Sequence, residues 1–135
     1  MKQVTQTVTG PKGDCLRACV ASILELELEM VPELSVNADS DQRWDWFVKL
    51  NNWLQNTRGL NLMYMDYDSG TTPLGYSILV VDSPRHDDVY HALVAYDGFV
   101  KWDPYPGDEV GPYGDFRFWL VFQKLDPSFD GALKG

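Results

Sequence analysis

Gly10-Pro11-Lys12-Gly13-Asp14-Cys15-Leu16-Arg17-Ala18-Cys19-Val20-Ala21-Ser22-Ile23-Leu24 is the stretch on which the fold turns. Its first five residues are turn-rich and aperiodic, so they predict an irregular loop, with Asp14 placed to accept a hydrogen bond as helix N-cap. A helix is expected to start at Cys15. From there Leu16, Cys19, Val20, Ile23 and Leu24 recur at spacings of three and four, while Ala18, Ala21 and Leu26 widen the apolar stripe until little of the surface is polar. Such a helix is mostly buried. The tail Glu25-Leu26-Glu27-Leu28-Glu29-Met30 alternates like a strand, but Val31-Pro32 closes it and favours a helix end followed by a short turn.

A second helix is expected from about Ser40 to Arg58, capped by Asp39 or Ser40, stopped by Gly59, and carrying Trp46, Phe47, Leu50, Trp53 and Leu54 on its inner side. Everything after it reads as extended: Leu60 to Tyr67, Tyr76 to Val81, Tyr90 to Tyr96, Phe99 to Asp103 and Phe116 to Gln123. Ser69-Gly70, Asp82-Ser83-Pro84, Asp97-Gly98 and the loop from Pro104 to Gly114 separate them. N-terminal helices followed by a C-terminal antiparallel sheet make an α+β arrangement. A chain of 135 residues without a repeat or linker fits one domain, residues 1–135.

Apolar residues make up 44%, including 5 Trp, 7 Tyr and 6 Phe, enough to bury a core without metal or disulfides. The net charge of −9, with no Lys/Arg cluster, argues against nucleic acid and anionic membranes as partners. No membrane-length apolar run or signal peptide is read, and the two cysteines, four apart on one helix, do not form a secreted disulfide framework. The expected location is the cytoplasm.

Chemistry is read first at Gly13-Asp14-Cys15. A thiol at a helix N-terminus feels the positive end of the helix dipole and nearby unpaired N–H groups, which favour the thiolate, whereas Asp14 opposes it, so a lowered pKa needs an imidazolium partner as well. Cys15 is therefore expected to be the reactive thiol, and Cys19 on the apolar stripe to be core. His91 opens the strand His91-Ala92-Leu93-Val94, and Asp103 follows at the end of the next strand; Cys, His and Asp in that order supply a nucleophile, a base and an orienter. His86, in the charged run Pro84-Arg85-His86-Asp87-Asp88, reads as a solvated loop residue.

These residues carry a resemblance. Gly13 to Leu26, Val31-Pro32, Gly75-Tyr76-Ser77-Ile78-Leu79, Ser83-Pro84-Arg85, His91-Ala92-Leu93-Val94, Asp97-Gly98 and Trp102-Asp103-Pro104-Tyr105-Pro106 resemble small phage and bacterial proteins with a papain-like fold, similar to the bacteriocin-processing cysteine peptidases. The likeness covers roughly residues 15 to 106. It implies a central helix opened by the nucleophile Cys15, a base His91 on the sheet, an orienting Asp103, a protein or peptide substrate that includes a host protein as a candidate, and no cofactor. The family pattern places a Gln shortly before the cysteine as an oxyanion donor. Here the nearest is Gln6, nine residues upstream, so its reach depends on a bulge of the intervening loop.

Trp102 and Tyr105 beside Asp103 are candidate substrate-binding residues. Other readings stay open: deamidation, acyl transfer or isopeptide cleavage through the same thioester; a non-catalytic binding or inhibitor domain; and a metal site on Cys15, Cys19, His86 and His91, a superficial match because Cys19 lies on the core stripe. The triad also carries a geometric demand. A two-residue Asp97-Gly98 turn pairs Ala92 with Asp103 and sends the carboxylate to the wrong side of the strand, whereas a three-residue loop, Tyr96-Asp97-Gly98, with positive φ at Gly98 pairs Ala95 with Phe99 and sets His91 across from Asp103. The three-residue loop is expected, with the carboxylate on imidazole Nδ1.

Overall fold

Cys15–Leu24 forms helix α1, and every residue of it except Arg17 is buried. The computed structural model describes residues 1–10, 13–36, 45–86, 88–107 and 113–125. Leu16, Val20 and Ile23, at most 1% exposed, each contribute about 1.5–3 kcal/mol through burial. Glu25 adopts the left-handed conformation and its N–H turns back to Ala21 and Ser22, ending the helix well before Val31-Pro32. The alternating tail contains only a single 3-10 turn, Leu28–Met30.

Asp45–Arg58 forms α2, which buries Trp46, Leu50 and Leu54 and packs the half-buried Phe47 and Trp53 against the same core. The expected helix start at Ser40, its caps Asp39 or Ser40, and Trp44 lie outside the described residues. Five strands follow: β1 (Leu60–Asp66), β2 (Tyr76–Asp82), β3 (Tyr90–Tyr96), β4 (Phe99–Trp102) and β5 (Phe116–Lys124). They form one antiparallel sheet in the order β1-β5-β2-β3-β4. The α+β class is as expected. Helix α1 lies chiefly on β3 and α2 on β1. The sheet is apolar on its far side too, where Leu79, Val81, Leu93, Ala95 and Trp119 form a second buried cluster. Burial on both sides explains why β2 and β3 read as continuous apolar runs.

Residues 1–10 form no regular element, yet they are tied down. Val4 N–H donates to Ser22 Oγ of α1 and Val4 C=O accepts the Trp102 indole N–H, at 3.1 and 2.9 Å. Gln6 N–H donates to Pro104 C=O at 2.9 Å. This segment joins the last turn of α1 to the end of β4.

The β3–β4 hairpin differs from the expected one. Asp97 and Gly98 both have positive φ, 51° and 86°, and Tyr96 pairs with Phe99, so the loop is the two-residue type I′ turn that Asp-Gly favours. The predicted pairing of Ala95 with Phe99 is therefore wrong. Ala95 pairs with Val100 but Val94 with Trp102, leaving Lys101 as the extra residue of a bulge. Continued one residue further, the register sets Asp103 opposite Leu93, on the same side of the strand as His91. The bulge restores the alternation that the short turn would have broken.

Candidate active site

His91 is 4% exposed at the start of β3, and its Nε2 lies 2.7 Å from Asp103 Oδ1. Asp103 sits diagonally from His91 rather than directly across, so the ring spans the gap with its far nitrogen. The expectation of an Nδ1 contact is thus reversed. A carboxylate acceptor fixes the proton on Nε2 and leaves the Nδ1 lone pair as the basic position. The same Oδ1 accepts the Tyr105 backbone N–H at 3.0 Å. Burial pushes the Asp103 carboxyl up, but the His91 and Tyr105 hydrogen bonds, with the charges of His91 and Arg85, outweigh it and hold the group below its ordinary range.

Deletion of Lys101 tests the bulge directly. The hairpin is expected to close in uninterrupted register with Asp103 moved to the opposite side, and the downfield His91 Nε2–H proton resonance to vanish while the fold persists. A retained resonance would show that the bulge does not set the pair.

Cys15, Gln6, His91, Arg85 and Tyr105 line one small cavity of about 10 Å³, room for about one water. Next to it opens a hollow of about 480 Å³, with Ser83, His86 and Tyr90 as shared walls and Asp82, Asp88 and Arg117 beyond. Gln6 is buried and lines the small cavity. Gly13 permits this: a Cβ there would stand 2.8 Å from Val8 O and 3.4 Å from Gln6 Nε2. The Gln6 amide nitrogen donates to Val8 C=O at 2.8 Å, while its amide oxygen is buried with no partner among the described residues.

Asp14 occupies the N-cap position but makes no side-chain cap. Its Oδ1 accepts Thr7 N–H and Val8 N–H at 2.8 and 3.0 Å, and its Oδ2 accepts the Thr7 hydroxyl at 2.6 Å. Three donors from the N-terminal segment have claimed the carboxylate, which leaves the first N–H groups of α1 uncapped by it beside the cavity.

The Cys15 thiol is not the low-pKa group the helix terminus implied. Burial pushes it up to about 11; the backbone amides of Ala92, Leu16 and Cys15 draw it down in part, and the Asp14 charge adds to the rise. At 3% exposure, desolvation defeats the helix terminus. Cys19, fully buried, is pushed up as well, chiefly by desolvation. Both thiols are free. A folded thiol raised above its ordinary value near 9 binds its proton more tightly than the unfolded one, so its stabilising contribution is complete below pH 9 and is lost as pH rises through about 11. Urea midpoints are expected to fall across that window. A shallower fall in Cys15→Ser than in the natural chain would assign the difference to this thiol, Cys19 and other groups supplying the rest.

Trp102 does not line the cavity: its indole N–H is spent on Val4 C=O, making it a tether rather than the substrate wall expected. Tyr105 does line it, edge-on to His91 with ring centres 6.4 Å apart. Arg85 and Ser83 are cavity residues too, though their charged, Pro-containing run read as a solvated loop; the signal was their position just ahead of His91. Part of the Pro104 to Gly114 loop, residues 108–112, lies outside the described residues. Among the described residues no three His, Cys, Asp or Glu side chains gather as a metal site. Nor, among them, is any helix long and apolar enough to cross a membrane.

The structure thus brings Cys15, at a helix start, His91 and Gln6 to one cavity, with Asp103 hydrogen-bonded to His91 behind it. Comparison with known proteins adds no family to this: no protein-family model, no curated protein and no solved structure gives a significant match.

Proposed function

We propose that the chain is a thiol-dependent hydrolase, a cysteine peptidase or amidase of papain-like fold, acting on a protein or peptide. The observation that carries this reading is the 2.7 Å His91–Asp103 bond, with His91 lining the same cavity as Cys15. Because the resting thiol is protonated, His91 Nδ1 takes its proton as Sγ attacks the carbonyl, rather than holding a ready-made ion pair. The Cys15 N–H and the Gln6 amide receive the oxyanion. His91 then gives its proton to the leaving amine, and a water deprotonated by the same nitrogen opens the thioester. Deamidation shares this thioester and differs in the leaving group, ammonia from a side-chain amide, whereas acyl transfer differs in the acceptor.

The small cavity and the buried thiol favour a second reading, a non-catalytic binding or inhibitor domain on the same scaffold. Labelling with a mixed library of peptidyl acyloxymethyl ketones separates the two. Cys15 is expected to be modified in the natural chain and spared in His91→Ala. An inert Cys15 in a folded chain, together with full biological activity of Cys15→Ala, would establish the binding domain instead.

A further inference from the structure

Two arginines stand in the walls of the adjoining hollows, in opposite conditions. Arg117 is paired, its Nε and Nη2 donating to the two oxygens of Asp82 at 2.9 and 2.6 Å. Arg85 lines the cavity of Cys15 and His91 with its guanidinium carbon 3.5 Å from the centre of the Tyr105 ring. Among the described residues no acceptor takes any of its side-chain N–H groups and no carboxylate forms an ion pair with it. An unpaired arginine on an open surface is simply solvated and mobile. This one is held over a ring whose own backbone N–H is fixed on Asp103.

The chain has 20 acidic and 11 basic residues, so carboxylates to pair with Arg85 are not scarce. The charge of Arg85 reaches Asp103, yet among the described residues no carboxylate is hydrogen-bonded to it, which leaves the guanidinium open to an added anion beside the candidate nucleophile. We propose that Arg85 is a specificity-determining residue that receives a carboxylate of the substrate, close to the acyl group that Cys15 attacks. Planar guanidinium and carboxylate match in a two-bond fork, which fixes orientation as well as charge. The proposal rests on the thiol-hydrolase reading above.

Iodoacetate and iodoacetamide bring the same alkylating carbon to sulfur and differ in carrying a carboxylate or a neutral amide. The net charge of −9 repels the anionic reagent, so a preference for it must have a local cause. At Cys15 the ratio of iodoacetate to iodoacetamide rates is expected to stand about tenfold above that of the urea-unfolded chain, the size of one charge-assisted contact. Arg85→Gln is expected to remove most of that tenfold excess, and Arg85→Lys to keep part of it; His91 is unchanged in both, so any share owed to His91 survives in both. An equal ratio in the natural chain and Arg85→Gln overturns the proposal and leaves the nucleophile assignment standing. If neither reagent modifies Cys15 in the folded chain while both do in urea, the nucleophile assignment falls and takes the proposal with it. The source of the carboxylate is read from protection against iodoacetamide: N-acetylglycylglycine stands for a chain terminus, the α-amide of N-acetylglutamic acid for an acidic side chain. Protection by one of them, lost in Arg85→Gln, names the source. Protection by neither counts against a substrate carboxylate.

Discussion

Cys15→Ala and His91→Ala are each expected to lower kcat/KM by about 10³-fold or more on the best substrate from a fluorogenic peptide library, with the double variant no worse than either, because members of one catalytic unit are not additive. Asp103 is expected to behave differently. The Oδ1 that accepts from His91 Nε2 also accepts the Tyr105 backbone N–H. In Asp103→Asn the amide NH2 would clash with that N–H, so the amide oxygen takes the Oδ1 place, keeps the proton on Nε2 and leaves Nδ1 basic. A loss of about tenfold is expected, against a far larger one for Asp103→Ala. Equal losses in Asn and Ala would mean that the charge, not the orientation, matters. Cys19→Ala is the control: it should retain turnover and lose on the order of 1 kcal/mol of stability through a small core cavity.

The largest effect on stability is expected at Asp14. Asp14→Ala removes the acceptor that Thr7 N–H, Val8 N–H and the Thr7 hydroxyl share and should lower the unfolding free energy by about 2 kcal/mol, read from urea midpoints. Asp14→Asn keeps both backbone bonds, since both go to Oδ1, and the Thr7 hydroxyl can turn to accept from the new NH2. Its stability should stay within about 1 kcal/mol of the natural chain. It also removes the anion that helps hold the Cys15 thiol up, so alkylation of Cys15 at fixed pH is expected to quicken. Slower alkylation in a stable Asp14→Asn would contradict the electrostatic account of this thiol.

These two cases mark where local pattern was enough and where it was not. Helix α1 was legible because an apolar surface on all sides leaves a helix no place but the core. The strands β2 and β3 were legible from their apolar runs. The convergence of Cys15, His91 and Asp103 followed from their placement at element ends. The bulge was not legible: Phe99-Val100-Lys101-Trp102 alternates acceptably in either register, so one extra residue leaves no mark on the pattern. Asp14 was misread because its partners come from Thr7 and Val8, a segment without periodicity that no helix rule connects to it. The thiol was misread for a related reason. The field of a helix terminus is local, whereas desolvation depends on everything packed over it, here the tethered segment carrying Gln6 and the Arg85–Tyr105 stack.

The order β1-β5-β2-β3-β4 places the last strand in the middle of the sheet. A nascent chain leaving the ribosome can form α1, α2 and the β2–β3–β4 meander early, but β1 pairs only with β5 and has no neighbour until Phe116–Lys124 emerges. Until then β1 and the open edge of β2 are unpaired templates for other chains. Polypeptides truncated before Phe116 are therefore expected to aggregate even though they contain Cys15, His91 and Asp103, and synthesis through β5 is what closes the sheet that carries them.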